Sequence, residues 1–270
     1  MTCSPTIIVT NDDGIYSEGL IILYEAVRDL GKAIVVAPET PKSASGLGLT
    51  LHKPIRLQKM RFGGVEMYSI NGTPSDVVHV ALNILCDKAD LVVSGVNLGD
   101  NTSVQTILSS GTIGAAAQAA LLGIPAAAFS AMTVDTGSLT SDKQSLELMK
   151  RVIRIVSKHL LEKGLPEGVD LVSVNCPERI TRNTVVKIVP PARLRFREAV
   201  EKRVDPHGRE YYWLYGEPVE PEEGTDVYVV LKEKNIALTP LTLNLSPPSP
   251  TRAVESLLPL IDELNTSIRG

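Results

Sequence analysis

Cysteine is scarce in this chain: Cys3, Cys86 and Cys176 are three in 270 residues. They are an odd number, widely scattered, and lack the close pairing of a zinc site or a disulfide framework. Cys86 in a helix-like run and Cys176 at a strand end read instead as small buried apolar residues. The four histidines, at 52, 79, 159 and 207, also show no metal-ligand spacing. No apolar stretch reaches the roughly 20 residues that span a bilayer. The start, Met1-Thr2-Cys3-Ser4-Pro5, has no basic region followed by an apolar one, so the expectation is a cytoplasmic protein with no membrane partner. Positive charge is not in excess either. A formal net charge of −4 and a pI near 5.7 argue against a nucleic-acid partner. A small anionic substrate would therefore need local positive charge, most simply from a metal. Two common α/β signatures are missing as well: no Lys follows a glycine as in a P-loop, and the first turn lacks the three glycines of a dinucleotide fingerprint.

Strand-length apolar runs alternate with longer amphipathic segments, and hydrophobic residues make up 43% of the composition, enough for a sizeable core. That alternation predicts an α/β fold with a mostly parallel sheet. Strands are expected at Thr6 to Thr10, Lys32 to Ala37, Glu66 to Ile70, Asp90 to Ser94, Pro125 to Ser130 and Asp170 to Val174. The clearest helix runs from Asp142 to Lys163, where Leu146, Met149, Ile153, Val156 and Leu160 recur at helical spacing before Gly164 and Pro166. Others open at Pro74 or Ser75 and after Gly111, the latter rich in small residues that allow close packing on the sheet. A strand from Val185 to Val189 ends at Pro190-Pro191, and the character then changes. Five of the eleven aromatic residues (Phe, Trp and Tyr) lie between Arg193 and Tyr215. This segment predicts a long β-hairpin arm turning at Asp205-Pro206-His207-Gly208 and packing against a partner subunit. An extra hairpin on the same core is the alternative. Strands at Asp226 to Leu231 and Ile236 to Leu241, then Pro247-Pro248-Ser249-Pro250 and a helix from Thr251 to Leu264, complete the expectation.

In an open parallel sheet, ligands bind at the carboxyl ends of strands where connections diverge. Three post-strand loops carry unusual polar residues. The first is Asn11-Asp12-Asp13-Gly14. Two neighbouring carboxylates converge on one ligand only if the chain turns, which Gly14 permits. Kept close and ionised, they call for a cation, and a hard divalent metal suits them. Turn chemistry alone, with Asp12 as a cap and Asp13 in solvent, also explains the dipeptide. The second loop runs from Pro38 to Gly46 and offers Lys42, Ser43 and Ser45. The third, Ser94-Gly95-Val96-Asn97-Leu98-Gly99-Asp100-Asn101, leads to Ser110-Gly111-Thr112 at a helix start. Unpaired N–H groups and hydroxyls there suit a phosphate. Asn97 and Asn101 add neutral groups for a metal or an oxyanion.

Together these residues resemble the SurE family of stationary-phase survival proteins, metal-dependent nucleotidases. The resemblance continues through Asn71-Gly72-Thr73-Pro74, Pro206-His207-Gly208 and Tyr211-Tyr212-Trp213, and it covers nearly the whole chain. It implies Asp12, Asp13, Ser43 and Asn97 as ligands of one divalent ion, Mg²⁺ or Mn²⁺. It also implies a Rossmann-like core over 1–190, an oligomerisation arm over 191–235, and a C-terminal element over 236–270 exchanged in homodimers or homotetramers. The implied reaction is hydrolysis of nucleoside 5′- or 3′-monophosphates, with Asn11, Asn101, Ser110, Gly111 and Thr112 holding the substrate. Metal-activated water is the preferred nucleophile over an aspartate, because a carboxylate whose lone pairs are engaged attacks poorly. Asp12 and Asp13 would be catalytic. Two other readings stay open: a nucleotide-binding regulatory module that does not hydrolyse, and a glycosyltransferase-like protein with an aspartate-held metal.

Overall fold

The computed structural model describes residues 4–133, 136–246 and 250–269. The chain begins with β1 (Thr6–Thr10), α1 (Glu18–Val27), β2 (Lys32–Pro38), β3 (Leu57–Phe62), β4 (Val65–Ile70), α2 (Pro74–Val80) and a π-helical turn over 81–85. It continues with β5 (Leu91–Leu98), α3 (Ser103–Ser109), α4 (Gly111–Leu121), β6 (Ala126–Ala131), α5 (Thr136–Ser141), α6 (Lys143–Lys163) and β7 (Leu171–Cys176). The last elements are β8 (Val186–Ile188), β9 (Phe196–Val204), β10 (Glu210–Pro218), α7 (Asp226–Leu231), β11 (Ile236–Leu241) and α8 (Pro250–Arg269).

Among the described residues, nine strands form one sheet in the order β3-β4-β2-β1-β5-β6-β7-β11-β8. The run from β4 to β7 is parallel, while β3 and β11 pair antiparallel with β4 and β7. The α/β expectation is met, and the antiparallel hairpin β9-β10 stands apart as its own two-stranded sheet.

Alternating side chains of each strand feed two cores. Ile7, Val9, Val35, Leu91, Val93 and Phe129 face α1 and α6, whereas Ile8, Val36, Val92, Ala126 and Ala128 face α2 and α4. Each fully buried aliphatic side chain contributes about 1.5–3 kcal/mol. On α4, Ala115, Ala116 and Ala119 are buried, which draws that helix onto the sheet. A Cβ on Gly114 would lie 2.0 Å from the Gly46 carbonyl oxygen, so the 38–46 loop is also pressed against this helix. On α6, Met149, Ile153, Ser157 and Leu160 form the buried face, and Gly164 ends it at φ +71°.

Two expectations need correction. Asp226 to Leu231 is helix α7, not a strand: the Thr225 hydroxyl caps the Tyr228 N–H and Asp226 sits in the first turn, overriding the β-propensity of Val227, Val229 and Val230. The strand expected to stop at Ser94 continues to Leu98, with a register shift against β6 between Ser94 and Asn97. Gly95 makes that possible at φ +129°, where a Cβ would fall 2.2 Å from the Phe129 carbonyl oxygen. Cys176 is buried, which pushes its thiol up to about 12, and Cys86 is half-buried. Cys3 and Pro247-Pro248-Ser249 lie outside the described residues.

Candidate active site

Strand order reverses at β1, which has β2 on one side and β5 on the other. Connections leaving the carboxyl ends of β1 and β5 therefore diverge and open a crevice between them. The Asp pair lies on one rim of that crevice and the 97–112 segment on the other.

Asn11 shapes the first rim. Its Oδ1 accepts from the Gly14 N–H at 3.2 Å and its Nδ2 donates to the Gly14 carbonyl at 3.2 Å, closing a tight turn. Gly14 sits at φ +96°. This turn brings both carboxylates to the crevice. Asp12 is buried and accepts a hydrogen bond from the Thr112 hydroxyl at the start of α4. Asp13 is half-buried, and its Oδ2 accepts from the Leu98 N–H at 3.3 Å.

The second loop reaches the same place through backbone. The Lys42 N–H donates to the Asp12 carbonyl at 2.7 Å, and the Gly46 N–H to the Ser109 carbonyl at 2.9 Å. Ser43 is exposed in the intervening turn. Asn97 donates its Nδ2 to the Gly99 carbonyl at 2.8 Å, which leaves Oδ1 able to accept. The backbone contacts thus bring the neighbourhoods of Asp12, Asp13, Ser43 and Asn97 together.

The third segment is fixed from below. Asn101 is buried; its N–H donates to Asn175 Oδ1 at 2.8 Å and its Nδ2 to the Ser130 hydroxyl at 2.9 Å. Ser110 caps α4 by accepting from the Ile113 N–H at 3.2 Å. Gly111 packs so tightly that a Cβ would lie 2.6 Å from Ser45 Oγ and 2.8 Å from Asp12 Cβ. Ser45 Oγ is itself buried without a hydrogen-bond partner. Beside Asp13 a cleft of about 480 Å³ opens, lined also by Tyr16, Glu18, Glu39 and Leu98.

The electrostatics point to missing countercharge. Burial raises the Asp12 carboxyl above its ordinary value, against the Thr112 hydroxyl and the N–H groups of Thr112 and Gly111. Burial and then the Asp12 charge push Asp13 up to about 6, against the Leu98 N–H. No basic side chain among the described residues pairs with either. No cluster of three or more His, Cys, Asp or Glu side chains there is arranged for a metal. Two carboxylates with nearby neutral Ser and Asn oxygens are nevertheless a donor set for a hard divalent cation.

Some contributors escape a reading by motif. Ser130 and Asn175 hold Asn101 from β6 and β7, and the Leu98 N–H holds Asp13, all across large sequence separations. Polar residues at the carboxyl ends of otherwise apolar strands are the signal that marks Ser130 and Asn175. Asn71-Gly72-Thr73-Pro74 serves structure: Thr73 and Asp76 form a capping box on α2, and the Thr73 hydroxyl donates to the Gly48 carbonyl at 2.7 Å.

Known proteins resemble this chain in sequence and in overall fold. The family model described as "Survival protein SurE" matches residues 7–198. The 5′-nucleotidase SurE of Hyperthermus butylicus is 56% identical over 273 residues, covering 100% of this chain and 97% of that protein. The 5′-nucleotidase SurE of Pyrobaculum arsenaticum is 50% identical over 264 residues, covering 97% and 99%. The crystal structure of the SurE protein from Aquifex aeolicus superposes with a TM-score of 0.78 at 33% identity, covering 94% of this chain and 99% of that one. By family match, near full-length identity and shared fold, this chain belongs to the SurE family.

Proposed function

We propose that the protein is a divalent-metal-dependent phosphomonoesterase that converts nucleoside monophosphates to nucleoside and phosphate. The observation that carries the reading is the joining of an uncompensated acidic pair to a helix N-terminus by the Thr112 hydroxyl on Asp12. Relatives over nearly the full chain carry the name 5′-nucleotidase, which supports the substrate class.

Asp12, Asp13, Ser43 and Asn97 would hold one Mg²⁺ or Mn²⁺. When bound, the ion supplies charge neutralisation at the phosphate and acidifies the attacking water. The chain's own residues do the rest. The Ser110 hydroxyl and the remaining amide N–H of Asn101 would contact the phosphate oxygens at the positive end of α4, while the N–H groups of Gly111 and Thr112, which donate to Asp12, tie that helix start to the metal-holding pair. Asn11 keeps the two carboxylates on the crevice by closing its turn. The cleft beside Asp13 takes the nucleoside, with the exposed Tyr16 ring on its wall. Phosphate release from a panel of nucleoside monophosphates, with Mg²⁺ or Mn²⁺ and with EDTA, tests this. Binding without release in every metal would leave a nucleotide-binding module instead.

We also propose a homodimer or homotetramer built through the arm and α8. Tyr212, Trp213 and Leu214 on β10 are exposed, and on α8 Leu257, Ile261, Leu264 and Ile268 repeat at helical spacing while exposed. Such a stripe needs a partner surface. Light scattering on the full chain, showing a monomer at micromolar concentration, would end this reading.

A further inference from the structure

Apart from the acidic pair, a buried ionic cluster ties the base of the arm to the segment that leads into the phosphate cradle. Asp226 is fully buried at the start of α7. Its Oδ2 accepts from the Ser103 N–H at 2.8 Å, and its Oδ1 accepts from the N–H groups of Ala192 at 2.9 Å and Val227 at 2.7 Å. Ser103 is itself fully buried and left-handed at φ +72°, a conformation a serine seldom adopts unaided. Next to it, the buried Arg195 donates Nε to Asp100 Oδ2 at 3.2 Å, and its Cζ lies 4.5 Å from the Phe196 ring centroid. The Gln105 side chain accepts from the N–H groups of Arg195 at 3.1 Å and Phe196 at 2.9 Å. The Val104 N–H completes the seam on the Ala192 carbonyl at 2.7 Å.

We propose that Asp226 and Arg195 are positioning residues for the reaction: together they fix the 100–105 segment, and through α3 they set where Ser110, Gly111 and Thr112 stand. The inference rests on the phosphomonoesterase reading given above. Its physical ground is cost. A carboxylate that is wholly desolvated, with a second one at Asp100 nearby, is an expensive way to join two loops, and burial accordingly raises the Asp226 carboxyl. What it provides over a neutral link is a rigid, three-way hold on a strained backbone. That hold lies one short helix from the cradle, since α3 ends at Ser109 and Ser110 caps α4. The same carboxylate holds Ala192, four residues before β9, so arm base and cradle share one anchor.

In Asp226→Asn the new amide nitrogen cannot accept, so either Ser103 or the Ala192 and Val227 pair is released. KM for AMP and the Kd of inorganic phosphate are both expected to rise about tenfold, with kcat within about threefold, because the Asn11 turn and the Leu98 N–H still hold the acidic pair. Arg195→Met, which keeps the apolar stem, should move both constants in the same direction and stands in if Asp226→Asn does not fold. Leu160→Ala in α6 serves as a control for destabilisation alone and should leave both constants unchanged. Phosphate affinity in both variants equal to wild type, or an equal loss in Leu160→Ala, would overturn the proposal. Wild-type protein that binds phosphate but releases none from AMP would instead count against the phosphomonoesterase reading, while the phosphate Kd still reads the positioning role.

Discussion

The Thr112 hydroxyl donates to the Asp12 carboxylate across 100 residues of sequence, so the acidic pair and the N-terminus of α4 are one mechanical unit. Removing that donor leaves a buried carboxylate short of a partner. Thr112→Val should lower the unfolding free energy by about 1.5–3 kcal/mol in urea denaturation at neutral pH. An unchanged midpoint would mean that the hydroxyl does not hold Asp12.

Asp12→Asn keeps the shape of the side chain and removes its charge. Turnover of AMP at saturating Mg²⁺ or Mn²⁺ should fall by about 10²–10³-fold with circular dichroism unaltered. Full turnover in that variant would remove Asp12 from the chemistry.

Asp13 gives a pH dependence opposite to that of most surface carboxylates. Its folded value lies near 6, above its ordinary 3.8, because of burial and then the Asp12 charge. Below 3.8 the group is protonated in both states and costs nothing. As pH rises toward 6 the unfolded chain gives up its proton while the folded one retains it, and above 6 the folded state carries the whole penalty. Asp12, also raised, adds in the same direction. In EDTA-treated protein, Asp13→Asn should therefore raise Tm at pH 7.5 and give no gain at pH 3.5. Equal Tm values at pH 7.5 would contradict the assigned burial.

The same uncompensated charge sets the response to metal. Mg²⁺ or Mn²⁺ at about 100 times its Kd should stabilise the wild type by about 2.7 kcal/mol, read as a rise in Tm, and the rise should shrink in Asp13→Asn. Identical shifts in both proteins would place the ion elsewhere.

Gly111→Ala sets local preference against close packing. Alanine favours helix by about 1 kcal/mol over glycine, yet its Cβ would press on Asp12 and Ser45. A displacement of that kind should cost about 100-fold in kcat/KM while the helix is retained. Wild-type kinetics would show that the crevice has slack.

The sheet was legible because its strands are short apolar runs whose alternation and flanking turns are local properties. The loop after β1 and the start of α4 were legible for the same reason, with Asp12, Asp13 and Ser110 next to a strand or helix end. Asn97, read as part of a loop, lies instead inside β5, which continues to Leu98 past Gly95. Asp226 was not, since Asp-Val-Tyr-Val-Val-Leu carries strand propensity and only the Thr225 cap decides for helix. β3 escaped because Leu57, Met60 and Phe62 alternate imperfectly with Gln58, Lys59 and Arg61 on a sheet border. The partners of Asp226 lie 34 and 123 residues away, and no motif records such pairings.

Both borders of the main sheet are blunt. β3 carries Lys59 and Arg61 along its length, and β8 is three residues long. A stray extended peptide finds charge at one flank and too few free backbone groups at the other. The main sheet is thereby a poor template for edge-to-edge pairing with a second copy.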